Sequence, residues 1–244
     1  MLRLIVFGVV CVVALPAWAD KPAAGKLSFA QGGVFRAEKE EGPYRRISEG
    51  GDVFEGDFIK TEAESRAEAR LEDRSVIRIG AESRVMIQKA QFNKKDETKQ
   101  VQVKLVVGRF WAKVTKLFGA SSFDVETPNA VAGVRGTAFA VDQGADKSTT
   151  VRVFNGKVLI SNRPIYMTQE PPKKTEGPPG KKERKQVAGP QEVSKKQWEE
   201  MVAQALQQVK VAANGQMSQE QFAADDAAKD EWVAWNRGRD GKDE

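Results

Sequence analysis

The sequence of 244 residues predicts an all-β fold of short antiparallel strands, arranged as a roll or sandwich, with a short C-terminal α-helical region. Three observations point there. Apolar residues recur with a period of two from Lys26 to Ile160, turn-forming clusters interrupt them at short intervals, and no helix-period segment separates one run from the next.

The first element is a leader. In MLRLIVFGVVCVVALPAWAD, Arg3 gives a positive start, Leu4 to Leu15 an apolar run and Ala17-Trp18-Ala19 a small-x-small cleavage signature, so residues 1–19 are expected to be removed on export. The run is about a dozen residues, short of the roughly 20 a membrane span needs, and the mature chain is expected to have no transmembrane span. Cys11, the single cysteine, lies inside the leader, so the mature chain forms no disulfide. Val9 and Val10 stand where a lipid-attachment box would want small residues. Without Arg3 the chain holds 38 basic against 34 acidic residues, about +4.

The domain at 20–193 comes next. Ala67, Ala69 and Leu71 alternate up to the turn-like Glu72-Asp73-Arg74-Ser75, and Ile77 and Ile79 resume the period. Val85 and Ile87 repeat it, then Val101, Val103, Leu105 and Val107, then Phe123, Val125 and Thr127. Val151–Phe154 and Lys157–Ile160 flank Asn155-Gly156, whose tolerance of positive φ predicts that these two runs pair as a hairpin. A Pro- and Lys-rich stretch at about 164–186 has too little apolar surface to fold and reads as a mobile basic insertion, with weak attraction to anionic surfaces as a further expectation. Val187–Val193 is expected as a late strand of the same domain.

Residues 194–244 are expected to be helical. Ser194-Lys195-Lys196-Gln197 has the form of a capping box, and Trp198, Met201, Val202, Ala205, Leu206 and Val209 recur at helical spacing up to Asn214-Gly215. DDAAKDEWVAWNRGRD is a second helix candidate. Its Trp232 and Trp235 are expected to dock on the β domain, with partner contact through Trp198, Trp232 and Trp235 as the alternative.

The stretch TPNAVAGVRGTAFAV carries the candidate site: Thr127, Pro128, Gly133, Arg135, Gly136 and Thr137. Pro128 biases Thr127 toward extended backbone, so the preceding strand should end there. Gly133 and Gly136 suit a tight reversal, and Arg135 between them could fold back on Asp124, Glu126 or Asp142, tying two strands together. The other reading is an anion-binding nest of glycine amides, but the stretch is not a GxxxxGK[ST] loop. The structural corner is the favoured reading.

These residues resemble the FecR-type periplasmic domain. Thr127-Pro128, Gly133-Val134-Arg135-Gly136-Thr137, Phe139-Ala140-Val141 and Val151–Val158 carry the resemblance, with Gly51-Asp52, Gly56–Thr61 and Ala69–Ile79 upstream, over most of residues 28–162. Arg74 stands where a glycine is usual. In the founding members of that family, the resemblance implies, the domain lies outside one membrane span, receives a signal from an outer-membrane iron transporter and communicates with a sigma factor. Here the domain reads as standing alone behind an export signal. The expectation is therefore a non-enzymatic protein of the periplasm or cell envelope that senses, binds or scaffolds through contact with another envelope protein or surface component.

Chemistry is expected to be absent. With no histidine, the usual general base and the commonest metal ligand are missing, and no cofactor or metal is expected. Asp52, Glu55, Asp57, Glu72 and Asp73 cluster in sequence and could serve an acid-pair glycosidase only if two faced each other; Asp225, Asp226 and Asp230 do not follow a calcium-loop pattern. The alternative function is a glycan-binding or glycan-acting envelope protein, which requires a tryptophan beside two facing carboxylates. Nucleic acid is not expected as a partner, because the basic residues are not interleaved with stacking aromatics and export removes the usual substrates.

Overall fold

A computed structural model describes residues 22–93, 95–117, 119–162 and 200–241. The leader, the basic insertion, the strand expected at Val187–Val193, the Ser194–Gln197 capping box and Trp198 lie outside these residues.

The chain runs through β1 (Ala23–Gln31), β2 (Val34–Ala37), β3 (Arg45–Arg46), β4 (Asp52–Phe54), β5 (Phe58–Thr61), β6 (Arg66–Leu71), β7 (Val76–Ile79) and β8 (Arg84–Asn93) to the long β9 (Thr98–Lys113). Then come β10 (Ser122–Glu126), β11 (Ala130–Val134), β12 (Ala138–Gln143), β13 (Thr149–Asn155) and β14 (Lys157–Asn162). β15 (Glu200–Gln204), β16 (Gln207–Val211) and β17 (Met217–Gln221) precede two helices, α1 (Ala224–Ala228) and α2 (Glu231–Asp240).

The strands form two layers. Sheet A has the order β4-β1-β6-β7-β9-β12-β13-β16-β17. Sheet B has the order β3-β2-β5-β8-β9-β10-β11-β14-β15. Every pairing is antiparallel except β9 with β10. Strand β9 serves both layers: up to Val107 it pairs with β8, and from Gly108 to Lys113 it pairs with β12. Gly108 makes the bend possible. Its φ is 101°, and a Cβ there would come within 2.6 Å of the Ser83 backbone, so any side chain would force the layers apart.

Alternation explains the core. Val101, Val103 and Leu105 of β9 meet Phe123 and Val125 of β10, Val158 and Ile160 of β14 and Val151 and Val153 of β13, all buried between the layers. Each such side chain contributes about 1.5–3 kcal/mol by leaving water. At every passage from one sheet to the other stands a residue with positive φ: Gly32, Gly50, Gly56, Glu64, Glu82, Gly108, Gly119, Gly136, Gly156 and Leu206.

Two expectations are corrected. β13 and β14 do not pair as a hairpin: β13 lies in sheet A between β12 and β16, and β14 in sheet B between β11 and β15. Asn155-Gly156 is a passage between layers, and neither strand has an edge left for the other. The stripe from Met201 to Val209 is not a helix either but β15 and β16, because those edges of β14 and β13 take strands. Ala203, Val209 and Val211 point into the core, while Val202 and Leu206, expected on an apolar helix face, are exposed. Asn214-Gly215 turns the β16–β17 hairpin instead of ending a helix, with Gly215 at φ 85°. The helical region begins only at Ala224.

Candidate functional site

The motif occupies the end of one hairpin and a passage between the layers. β10 ends at Glu126, as Pro128 predicts, and the reversal follows at once over Thr127-Pro128-Asn129. Thr127 N donates to Ala130 O at 2.9 Å, and Ala130 N donates to Thr127 Oγ1 at 2.9 Å. The turn is bolted to distant strands: the Thr127 and Thr149 hydroxyls meet at 2.8 Å, and Asn129 Nδ2 donates to Val211 O and Ala212 O, both at 2.9 Å. All three side chains are buried, so each of these bonds replaces hydration that the groups have lost.

Gly133 and Gly136 do different things. Gly133 lies inside β11 opposite Asp124, with no positive φ, and a Cβ on it would find nothing nearer than 3.4 Å. Gly136, at φ 68°, makes the passage from sheet B to sheet A, and Lys116 Cα lies 3.1 Å from where its Cβ would be. Beside it, Gly156 leaves room for Thr137, whose methyl would lie 2.6 Å from a Cβ there. Thr137 is buried; its carbonyl accepts from Val114 N at 2.9 Å. The corner thus exists, but it rests on Gly136 and on Thr127-Pro128-Asn129, not on a reversal between the two glycines.

Arg135 does not tie the strands. It is exposed, and no ion pair joins it to Asp124, Glu126 or Asp142 among the described residues. Asp142 is taken by Arg109 at 3.1 Å and Arg152 at 3.0 Å. Asp124 is half-buried opposite Gly133, and burial pushes its carboxyl above the usual carboxylate range against a hydrogen bond from Ser122.

The acidic cluster is dispersed onto local partners. Asp52 pairs with Lys26 at 2.6 Å, Glu55 accepts from Ala90 N at 3.0 Å, Asp57 from Phe54 N at 2.8 Å, and Asp73 from Lys99 and Ser75. A shallow recess of about 650 Å³ has Glu55, Glu72 and Phe92 in its wall but no tryptophan. The described tryptophans lie elsewhere, on the outside of sheet A. The geometry the glycan reading requires is therefore not formed by these residues. Among the described residues no group of His, Cys, Asp or Glu is arranged to hold a metal.

That outside of sheet A holds a cluster of charged residues that fall between the inward-facing apolar ones. Arg78, between Ile77 and Ile79, and Glu68, between Ala67 and Ala69, point outward but are buried beneath α2. Arg78 Nε donates to Glu68 Oε2 at 2.6 Å, Arg239 Nε to the same oxygen at 2.8 Å, and Ser28 Oγ to Oε1 at 2.7 Å. Burial alone would raise the Glu68 carboxyl; the hydrogen bonds from Arg239, Arg78 and Ser28 outweigh it and hold the pKa at about 2. At the other end of α2, Asp230 caps the helix by accepting from Trp232 N at 3.0 Å and pairs with Arg109. Trp232 is buried against Trp111 and Ala140; Trp235 stacks on Trp232 at 5.4 Å and meets Phe29 at 5.6 Å. Both tryptophans pack against the β domain, and Trp232 is 4% exposed. The sequence signal was a lone opposite-charge pair on adjacent strands, Glu68 directly across from Arg78.

A family model described as "FecR protein" matches residues 57–159. These residues form a FecR domain. The matched segment runs from the start of β5 into β14 and contains the whole Thr127–Val141 motif. No curated protein matches significantly. Two crystal structures of a protein provisionally described as an anti-sigma factor from Parabacteroides distasonis ATCC 8503, at 1.65 and 2.50 Å resolution, are similar. Both share 18% identity, with TM-scores of 0.46 and 0.48 over 68% and 70% of this chain. The chain covers 60% and 63% of those two chains. Among the described residues no helix is long and apolar enough to cross a membrane.

Proposed function

We propose that this chain is an exported, non-enzymatic protein of the periplasm or cell envelope whose FecR domain works by binding another envelope protein, as a sensing or signalling component. The observation that carries the reading is the FecR match itself, over the segment that holds the motif. Its buried members Thr127 and Asn129 fix the scaffold, and its Arg135 is presented to solvent. A role in signalling also agrees with the provisional description of the similar crystal structures as an anti-sigma factor. The test is crosslinking of the leaderless chain in envelope extracts followed by identification of what it retains. A specific protein recovered repeatedly supports the reading; a chain that recovers nothing, or one found in the cytoplasm on fractionation, ends it.

A further inference from the structure

The outer face of sheet B beside the motif has a pattern of its own. Cross-strand register places Asp124, Gly133, Leu159 and Val202 in one row over β10, β11, β14 and β15. Leu159 is 44% and Val202 50% exposed, two of the few large apolar side chains that reach solvent among the described residues. Gly133 leaves this row flat at its middle, although neither its φ nor its surroundings require a glycine. A glycine inside a strand with no bulge or register shift beside it often marks a place where something else approaches closely.

The rows on either side carry opposite charge. One residue beyond the Val134–Val158 pair stand Arg135 and Lys157, both exposed and neither ion-paired among the described residues. Two residues along the strands the other way stand Glu126 on β10 and Glu200 on β15, with Lys104 flanking Glu126 on β9. A two-fold axis lying along the apolar row would set Leu159 and Val202 against their own copies. It would also carry the basic row of each copy over the acidic row of the other. Such self-complementarity is what an isologous interface requires.

From this arrangement we infer that the outer face of β10, β11, β14 and β15 is a docking surface for a second copy of this chain. The inference rests on reading the FecR domain as an interaction module. Strands spaced about 4.8 Å apart and three rows of side chains give several hundred Å² per copy, below the roughly 800 Å² of a tight complex. The dimer is therefore weak and depends on concentration.

Sedimentation equilibrium of the leaderless chain, from about 5 to 500 μM, is the test. The expected result is reversible dimer formation. Leu159→Asp weakens it at least about tenfold, a single buried apolar contact replaced by a charge, with an unchanged circular dichroism spectrum. Lys157→Glu weakens it too, and Lys157→Glu with Glu200→Lys restores it, because the two positions exchange charge only between copies. A chain that stays monomeric, a dimer indifferent to Leu159→Asp, or a double variant that fails to recover overturns the inference. A monomer that still captures a specific envelope protein sinks this inference and leaves the proposed function standing; a dimer that captures none does the reverse.

Discussion

The two outer faces of the sandwich are built alike and finished differently. On sheet A, outward-pointing Glu68, Arg78 and Trp111 are covered by α2, and each charge is answered within the chain by Arg239, Asp240 or a neighbouring strand. On sheet B, Arg135, Lys157, Leu159 and Val202 have no such cover among the described residues. The contrast separates two uses of a charged residue in a strand. Where the chain supplies the partner, the residue belongs to the fold; the exposed rows of sheet B are where the inferred second copy would dock.

The sharpest way to break that distinction is Arg78→Ala. It leaves the buried Glu68 and the part-buried Asp240 short of a cation and should cost about 3–5 kcal/mol, with loss of near-ultraviolet signal from Trp111, Trp232 and Trp235, measured by urea unfolding. A change of similar size on removing Arg135 would contradict the comparison outright.

The second prediction concerns pH. Glu68 has a folded pKa of about 2 against an ordinary 4.5, so its contribution is complete above about 4.5 and is lost as pH falls toward 2, on the order of 3 kcal/mol in all. Asp230, also lowered by its bonds to Arg109 despite burial, adds in the same sense. Asp124 on sheet B acts oppositely: its raised pKa makes the folded state lose stability as that carboxyl ionises. Urea unfolding between pH 7 and 3 should show a fall that Glu68→Gln flattens and Asp124→Asn does not.

The smallest effects lie within the motif. Gly136→Val strains a left-handed backbone and meets Lys116, an expected loss of about 1–3 kcal/mol. Gly133→Val and Arg135→Ala should each stay within about 0.5 kcal/mol of the parent. Thermal melts of the three variants rank them.

Much of this was legible from local pattern. Alternation located the strands from Ala67 to Ile160, Pro128 marked the end of β10, and Gly136 marked a corner. What could not be read was which edges the strands would meet. Asn155-Gly156 and Asn214-Gly215 are the same dipeptide between β-prone runs, yet only the second closes a hairpin, because β13 and β14 have both edges filled by other strands while β16 and β17 do not. Met201 to Val209 satisfied a helical period because six apolar residues in nine positions can fit either period, and pairing with β14 and β13 decided the outcome. Arg135 failed as a strap because Asp142, in the next strand β12, is claimed by Arg109 and Arg152, charges that no local reading connects to it.

Strand β9 has a last consequence. Since a single unbroken stretch of backbone is ladder to both layers, neither can melt while the other persists without tearing hydrogen bonds at its centre. The sandwich should therefore come apart in one cooperative step, its slowest-exchanging amides lying along Val101 to Ala112 on both sides of the bend at Gly108.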